Sequence, residues 1–219
     1  MFRRFALLAC ASAAITLTSI GGAAQTATPA APPQAPAAPA AAQPQPALVR
    51  VLITTSEGTI TVALEKDRAP ATTANFLRYA DAKRFDGVTF YRAMKLGENA
   101  GLIQGGQRDP RRFFPPLVHE PTTKTGLSNT DGTIAMARAE PGSARADFFI
   151  AIGDLSSLDA KPDQPGDNLG FAAFGHVVEG MDVVRRIQGL PTSATEGEGA
   201  MKGQMLAPPV KILTVRRVP

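Results

Sequence analysis

The sequence is poor in sulfur nucleophiles, histidine and large aromatics. Its 219 residues include one cysteine (Cys10), two histidines and no tryptophan, and aromatic residues make up only 6%. With Cys10 so near the start, thiol catalysis and cysteine metal sites are excluded from the rest of the chain, and no internal disulfide is available to it. His119 and His176 stand alone, outside any nucleophile-elbow or zinc-protease pattern, so hydrolytic chemistry has no base–nucleophile pair to work with. No glycine-rich phosphate cradle appears, and the glycines read as turns. No metal or cofactor is expected. The only long apolar run, Ala6–Ile20, is rich in Ala, Ser and Thr and falls short of the ~20 residues a membrane span needs.

Charge of one sign is also lacking. Arg3 and Arg4 supply two of the four excess positive charges, and the remainder are mixed with acids, so nucleic-acid binding has no support. The start, Met1–Phe2–Arg3–Arg4–Phe5, followed by the apolar run and Gly21–Gly22–Ala23–Ala24, has the order of a secretory signal peptide, with cleavage expected after Ala24. A retained anchor is the rival reading. Residues 25–47 are almost wholly Ala, Pro, Gln and Thr and cannot bury enough apolar surface to offset ordering entropy, so they read as a disordered tether. The processed chain is expected to be periplasmic or secreted, monomeric, and without a stable membrane span. Residues 48–219 are long enough for one substantial core.

In that part, Val49–Thr55 and Thr59–Leu64 read as a hairpin around Ser56–Glu57–Gly58. Thr73, Phe76, Leu77 and Ala80 recur at helical spacing behind Pro70. Strands are expected at Thr89–Tyr91, Gly101–Gln104, Thr133–Ala137, Phe148–Ile152, Phe174–Val178 and Val210–Val215, with a second helix over Met181–Leu190. Residues 95–100 and 191–209 read as loops, the latter long enough to suggest a functional or mobile segment. Seven or eight strands and two helices without strand–helix alternation predict a mainly β fold, a closed antiparallel barrel capped by two helices.

The densest chemistry is Phe90–Tyr91–Arg92 followed by Gln104–Gly105–Gly106, which brings a guanidinium and an amide to neighbouring strands. Alone, an arginine on a half-exposed strand reads more readily as a solvated surface charge than as a catalytic donor. Downstream come Gly132–Arg138, Asp147–Ile150 and Phe174–Val184. These ordered blocks, spanning Leu48 to Val218, resemble the cyclophilin family of peptidyl-prolyl cis/trans isomerases, and its exported bacterial members most closely.

The resemblance implies an eight-stranded barrel and acceleration of X–Pro bond rotation in exported polypeptides, assisting their folding. It assigns Arg92 as the donor to the twisting amide and Gln104 as its orienting partner. It carries the proline cup onto Leu102, Met136, Phe149 and Leu158, which without it would read as plain core. It places the backbone of Ala137 and Arg138 along an extended proline-containing substrate, with Asp147 and Phe171 also at the substrate. Four departures stand out. Gly101 occupies the place of a cup phenylalanine, Asp147 that of a glutamine, Ser157 that of a tryptophan able to contact cyclosporin, and Phe171 that of a histidine or tyrosine. They imply an activity below the family norm, and Asp147 has Arg138 or Arg92 as candidate partners. The competing reading is a non-catalytic peptide-binding or chaperone module on the same barrel.

Overall fold

Strands β1 (Leu48–Thr55) and β2 (Gly58–Glu65) form the expected hairpin in full register, Thr55 opposite Gly58. The computed structural model describes residues 47–218. The segments read as signal peptide and nearly all of the tether lie outside them. Helix α1 (Pro70–Asp81) follows β2, and β3 (Thr89–Leu96) and β4 (Ala100–Gly106) form a second hairpin. A short helix α2 (Thr122–Thr125), then β5 (Thr133–Met136), β6 (Asp147–Ile152), β7 (Ala173–Glu179), α3 (Met181–Gly189), β8 (Thr192–Ser193) and β9 (Met205–Arg217) complete the chain.

The strand order β1-β2-β7-β5-β6-β4-β3-β9, with β9 returning to β1, closes an eight-stranded antiparallel barrel, and the two-residue β8 hangs on β9. Strands alternate inward and outward side chains. The inward set, among them Val51, Ile53, Val62, Leu64, Phe90, Ile103, Ile134, Phe148, Ile150, Phe174 and Ile212, fills the interior. The two longer helices close opposite ends. α1 leaves the end of β2 and contributes Phe76, Leu77 and Ala80. α3 sets Val183 against Gly58 at the start of β2 and buries Val184 and Ile187. Phe76 meets Phe85, Phe148 and Phe174 with ring centroids 5.0–5.4 Å apart, so scarce aromatics are concentrated at one end of the core.

The start of α1 carries no capping side chain of its own, since Ala69 precedes Pro70. Glu120, 2% exposed, supplies the cap from the proline-rich crossing. Its carboxylate accepts from the Ala71 and Thr72 amides (3.2 and 2.8 Å) and from the Thr72 hydroxyl (2.7 Å), which also suits the positive end of the helix dipole. Three boundaries differ from expectation. Lys95, Leu96 and Ala100 belong to strands, so β3–β4 is a tight hairpin around Gly97. The first part of β9 and all of β8 lie inside the segment read as a loop. The four-residue α2 falls below what hydrophobic periodicity can register.

Candidate active site

Phe90 and Ala93 both point into the barrel, which strict alternation forbids for residues three apart. A β-bulge resolves this. The register slips between Phe90 and Arg92, Phe90 facing Gly105 and Arg92 facing Gln104, so one extra residue is inserted and both Tyr91 and Arg92 turn outward. The bulge is what aims Arg92 into a groove on the barrel's outer wall. Gly105 is part of the same construction, since a Cβ there would stand 2.6 Å from the Thr89 carbonyl oxygen.

The groove, about 580 Å³, takes in Arg92, Gln104, Leu102, Ala137, Arg138, Asp147, Phe149, Leu158 and Phe171. Nine of the ten site residues expected from sequence therefore converge. Met136 does not: it is 2% exposed and packs in the barrel interior. The alternation of β5 decides this, because Ile134 and Met136 face inward while Ala135 and Ala137 face the groove side.

The cup itself is a second apolar cluster outside the barrel, formed by Leu102, Ala135, Ala137, Phe149, Ala151 and Leu155, with Met94, Leu158 and Phe171 packed against it. Phe171 stands edge-on to Phe149, centroids 5.6 Å apart. The loop carrying Phe171 is tied down by Arg138, whose side chain is only 4% exposed. It donates to both Asp167 carboxylate oxygens (2.6 and 2.8 Å) and to the Gly170 carbonyl. Asp167 is held below the usual carboxylate range by that bond. Arg138 thus shapes the rim, and its side chain is committed to Asp167 rather than Asp147.

Gly101 does not open a gap in the cup. A Cβ there would lie 2.1 Å from the Met94 carbonyl oxygen and 2.4 Å from Gln188 Nε2, and its φ of +147° favours glycine. Met94, two residues beyond Arg92 on the same face, and Met201 and Met205 line the groove instead. Flexible thioethers thus occupy a rim thinned of aromatics. The spacing of 92 and 94 on one strand was a usable signal for Met94. The bulge that turns Tyr91 outward, and the reach of the 191–209 segment, have no signal beyond that segment's length.

Arg92 is half-buried and held by two amides. Its Nη1 donates to Gln104 Oε1 (2.8 Å), its Nε to Gln204 Oε1 (2.9 Å), and its Nη2 lies 3.6 Å from the Met94 sulfur. Burial pulls its pKa down, but a guanidinium starts so far above neutrality that it stays charged. Gln104 Nε2 donates to the Tyr91 hydroxyl (2.6 Å), which donates to Asp147 Oδ2 (2.7 Å). The partner of Asp147 is therefore Tyr91, neither of the two arginines expected. Burial, then the Asp147 charge and hydrogen bond, push the Tyr91 phenol well up, while the Arg108 guanidinium over its ring (4.5 Å) opposes.

Burial also raises the Asp147 carboxyl pKa, opposed by the Tyr91 hydrogen bond and Arg108, and Asp147 Oδ1 is buried without a hydrogen-bond partner. A raised carboxyl pKa means the folded state binds the proton more tightly than the unfolded one. Asp147 therefore subtracts stability as pH rises from the ordinary carboxylate range through its folded pKa. Asp147→Asn, which keeps an acceptor for Tyr91, is expected to raise Tm at pH 7 by about 2–4 °C, the equivalent of roughly 1 kcal/mol. The gain should shrink as pH falls into the carboxylate range. Thermal melts of both proteins across that range check it, and an equal or lower Tm for the variant at pH 7 counts against the burial cost.

Among the described residues no group of three or more His, Cys, Asp or Glu is placed to hold a metal ion, and no helix is long and apolar enough to cross a membrane. Neither histidine lines the groove. His119 contacts the Leu169 carbonyl oxygen (2.9 Å), and the His176 side chain is 45% exposed on β7. A larger groove, about 940 Å³, runs between α1 and the ends of β1 and β9, without a comparable donor poised over an apolar cup.

A family model described as cyclophilin type peptidyl-prolyl cis-trans isomerase matches residues 50–217. The chain belongs to this family. It is 37% identical over 152 residues to the peptidyl-prolyl cis-trans isomerase cyp18 of Streptomyces antibioticus, covering 67% of this chain and 87% of that one. It is also 37% identical over 146 residues to peptidyl-prolyl cis-trans isomerase B of Escherichia coli, covering 63% and 83%. In three dimensions it resembles a cyclophilin-type isomerase of Cryptosporidium parvum with a TM-score of 0.60 at 19% identity, covering 79% of this chain and 99% of that one. The barrel expected from sequence is thus the family's fold, and the protein is a peptidyl-prolyl cis-trans isomerase.

Proposed function

We propose that this isomerase acts on proline-containing segments of exported polypeptides and assists their folding, with Arg92 as the catalytic donor. The observation carrying the assignment of Arg92 is its guanidinium, clamped by amide oxygens beside an apolar cup on the outer face of the barrel. Rotation of an X–Pro bond breaks no covalent bond, and its barrier of ~18–20 kcal/mol is the loss of amide resonance. As the amide twists, the prolyl nitrogen regains a lone pair and becomes an acceptor. A guanidinium has five N–H donors, of which two are given to Gln104 and Gln204, so donors on Nη1 and Nη2 remain for that nitrogen. The prolyl ring would sit among Leu102, Phe149, Leu158 and Phe171. The Ala137 amide already donates to the Asp147 carbonyl (2.9 Å), so an extended substrate would pair with the carbonyl side of Ala137 and with Arg138.

A chaperone module on the same barrel would hold peptide without needing Arg92. A protease-coupled assay on a short prolyl peptide separates the two, because only the enzyme accelerates its cis-to-trans conversion. Export rests on the charged start, the apolar run and the small residues through Ala24. The protein recovered from the cell envelope is expected to lack about the first two dozen residues by intact mass, and a full-length cytoplasmic product would sink this part of the reading.

A further inference from the structure

The segment between α3 and β9 brings one more polar side chain to the guanidinium. Gln204 Oε1 accepts from Arg92 Nε at 2.9 Å. Its own amide cannot simply turn over, because Nε2 donates to the Ala200 carbonyl at 2.8 Å. A flipped amide would set a carbonyl against a carbonyl and an NH2 against the Arg92 N–H. The backbone of Gln204 is fixed on both sides too: its N–H donates to Met201 O (3.1 Å), and its carbonyl accepts from the Ala93 N–H (2.9 Å) on β3 itself. The segment is braced by Gly203 N–H to Glu196 O (3.0 Å) and Ala207 N–H to Pro191 O (3.1 Å). It turns tightly at Gly197, where a Cβ would lie 2.4 Å from Met201 O.

One acceptor on a guanidinium leaves it free to pivot about that hydrogen bond. Two acceptors on different nitrogens fix its plane. Gln104 holds Nη1 from β4, and Gln204 holds Nε from the β8–β9 segment, so neither alone suffices. We infer that Gln204 is a positioning residue for catalysis, presetting the plane of the Arg92 guanidinium together with Gln104. This inference rests on Arg92 being the donor. The 191–209 segment is then part of the active site, with Met201 and Met205 lining the groove on either side of Gln204.

The test uses the full chain with Gln204→Met, which keeps the length of the side chain and removes both its acceptor and its donor. The expected result is a fall in kcat of about tenfold with KM for a prolyl peptide changed less than about twofold, since misorientation of a catalytic group costs rate rather than ground-state binding. In an Arg92→Ala background the same substitution should cost nothing further, because there is no guanidinium left to orient; a merely structural role would persist there. The Arg92 Nε–H resonance should exchange slowly in the unmodified protein, where Gln204 accepts from it, and should broaden or exchange rapidly in Gln204→Met. Gln204→Met as fast as the unmodified enzyme, or an equal loss in both backgrounds, overturns the inference while leaving Arg92 as donor if Arg92→Ala is slow. Arg92→Ala at full speed overturns both.

Discussion

Arg92→Ala is expected to lower kcat/KM for a short prolyl peptide by about 10²–10³-fold, the loss seen when a preorganised donor to transition-state charge is removed. The size follows from what the site must do. No nucleophile, base or metal is needed for rotation about an amide, so the donor to the prolyl nitrogen is asked to supply most of the differential stabilisation. The cup contributes chiefly by holding the ring in the twisting geometry. Stability should move by less than about 1 kcal/mol. Arg92 is half-exposed, and water can reach the Gln104 and Gln204 oxygens it leaves. Rates by the protease-coupled assay and a thermal melt of the same variant separate the two effects. If mutant and wild type isomerise the peptide equally fast, Arg92 is not the donor.

The barrel is legible because β-branched and aromatic runs bounded by turn residues mark its strands, and over Thr59–Leu64 the alternation of polar and apolar residues marks Ile60, Val62 and Leu64 as the inward set. The resemblance, not the period, misplaces one site residue: it carries Met136 onto the cup, yet Ile134 and Met136 share a face, and Ile134 can only be core. At Tyr91–Arg92 the period breaks in the opposite direction. A bulge turns two consecutive residues to the outer face, and its placement depends on how β3 meets Gly105 and the start of β9, pairings that no local pattern encodes.

The Arg92–Gln104 pair was readable as two side chains on adjacent strands, and the register confirms them as direct neighbours. The groove's other side was not. Gln204, Met201 and Met205 come from a stretch low in large apolar residues, whose length was its only signal. Its path is set by backbone bonds to Pro191, Glu196 and Ala93. Asp147 shows a different limit. Its carboxylate was expected to find an arginine, since charge pairing is the first guess for a buried acid. The bulge places the Tyr91 hydroxyl nearer, and Arg138 is drawn away by Asp167 and Gly170.

Cyclosporin is expected to inhibit this isomerase poorly, by about 30- to 1,000-fold in affinity relative to a family member with the aromatic rim, and Ser157→Trp should recover at least about tenfold of it. The family's tryptophan gives the drug an indole N–H and a flat apolar wall. Here the position lies on the short turn Ser156–Leu158, set by the Ser156 amide donating to Asp154 Oδ1 (2.8 Å). Leu158 from that turn lines the groove while Ser157 is exposed beside it. A serine side chain ends at Oγ, so it supplies neither the wall nor the reach. Losing one aromatic contact and one hydrogen bond costs about 2–4 kcal/mol together. Gly101 adds nothing to this deficit that substitution can restore, because a side chain there would collide with the Met94 carbonyl at 2.1 Å. Gly101→Phe should therefore damage the fold instead of restoring sensitivity, and Ser157→Trp, on an exposed turn, should be tolerated. Titration of cyclosporin against activity for the three proteins decides the matter; nanomolar inhibition of the unmodified enzyme would show that the methionine-lined rim replaces the missing indole in full.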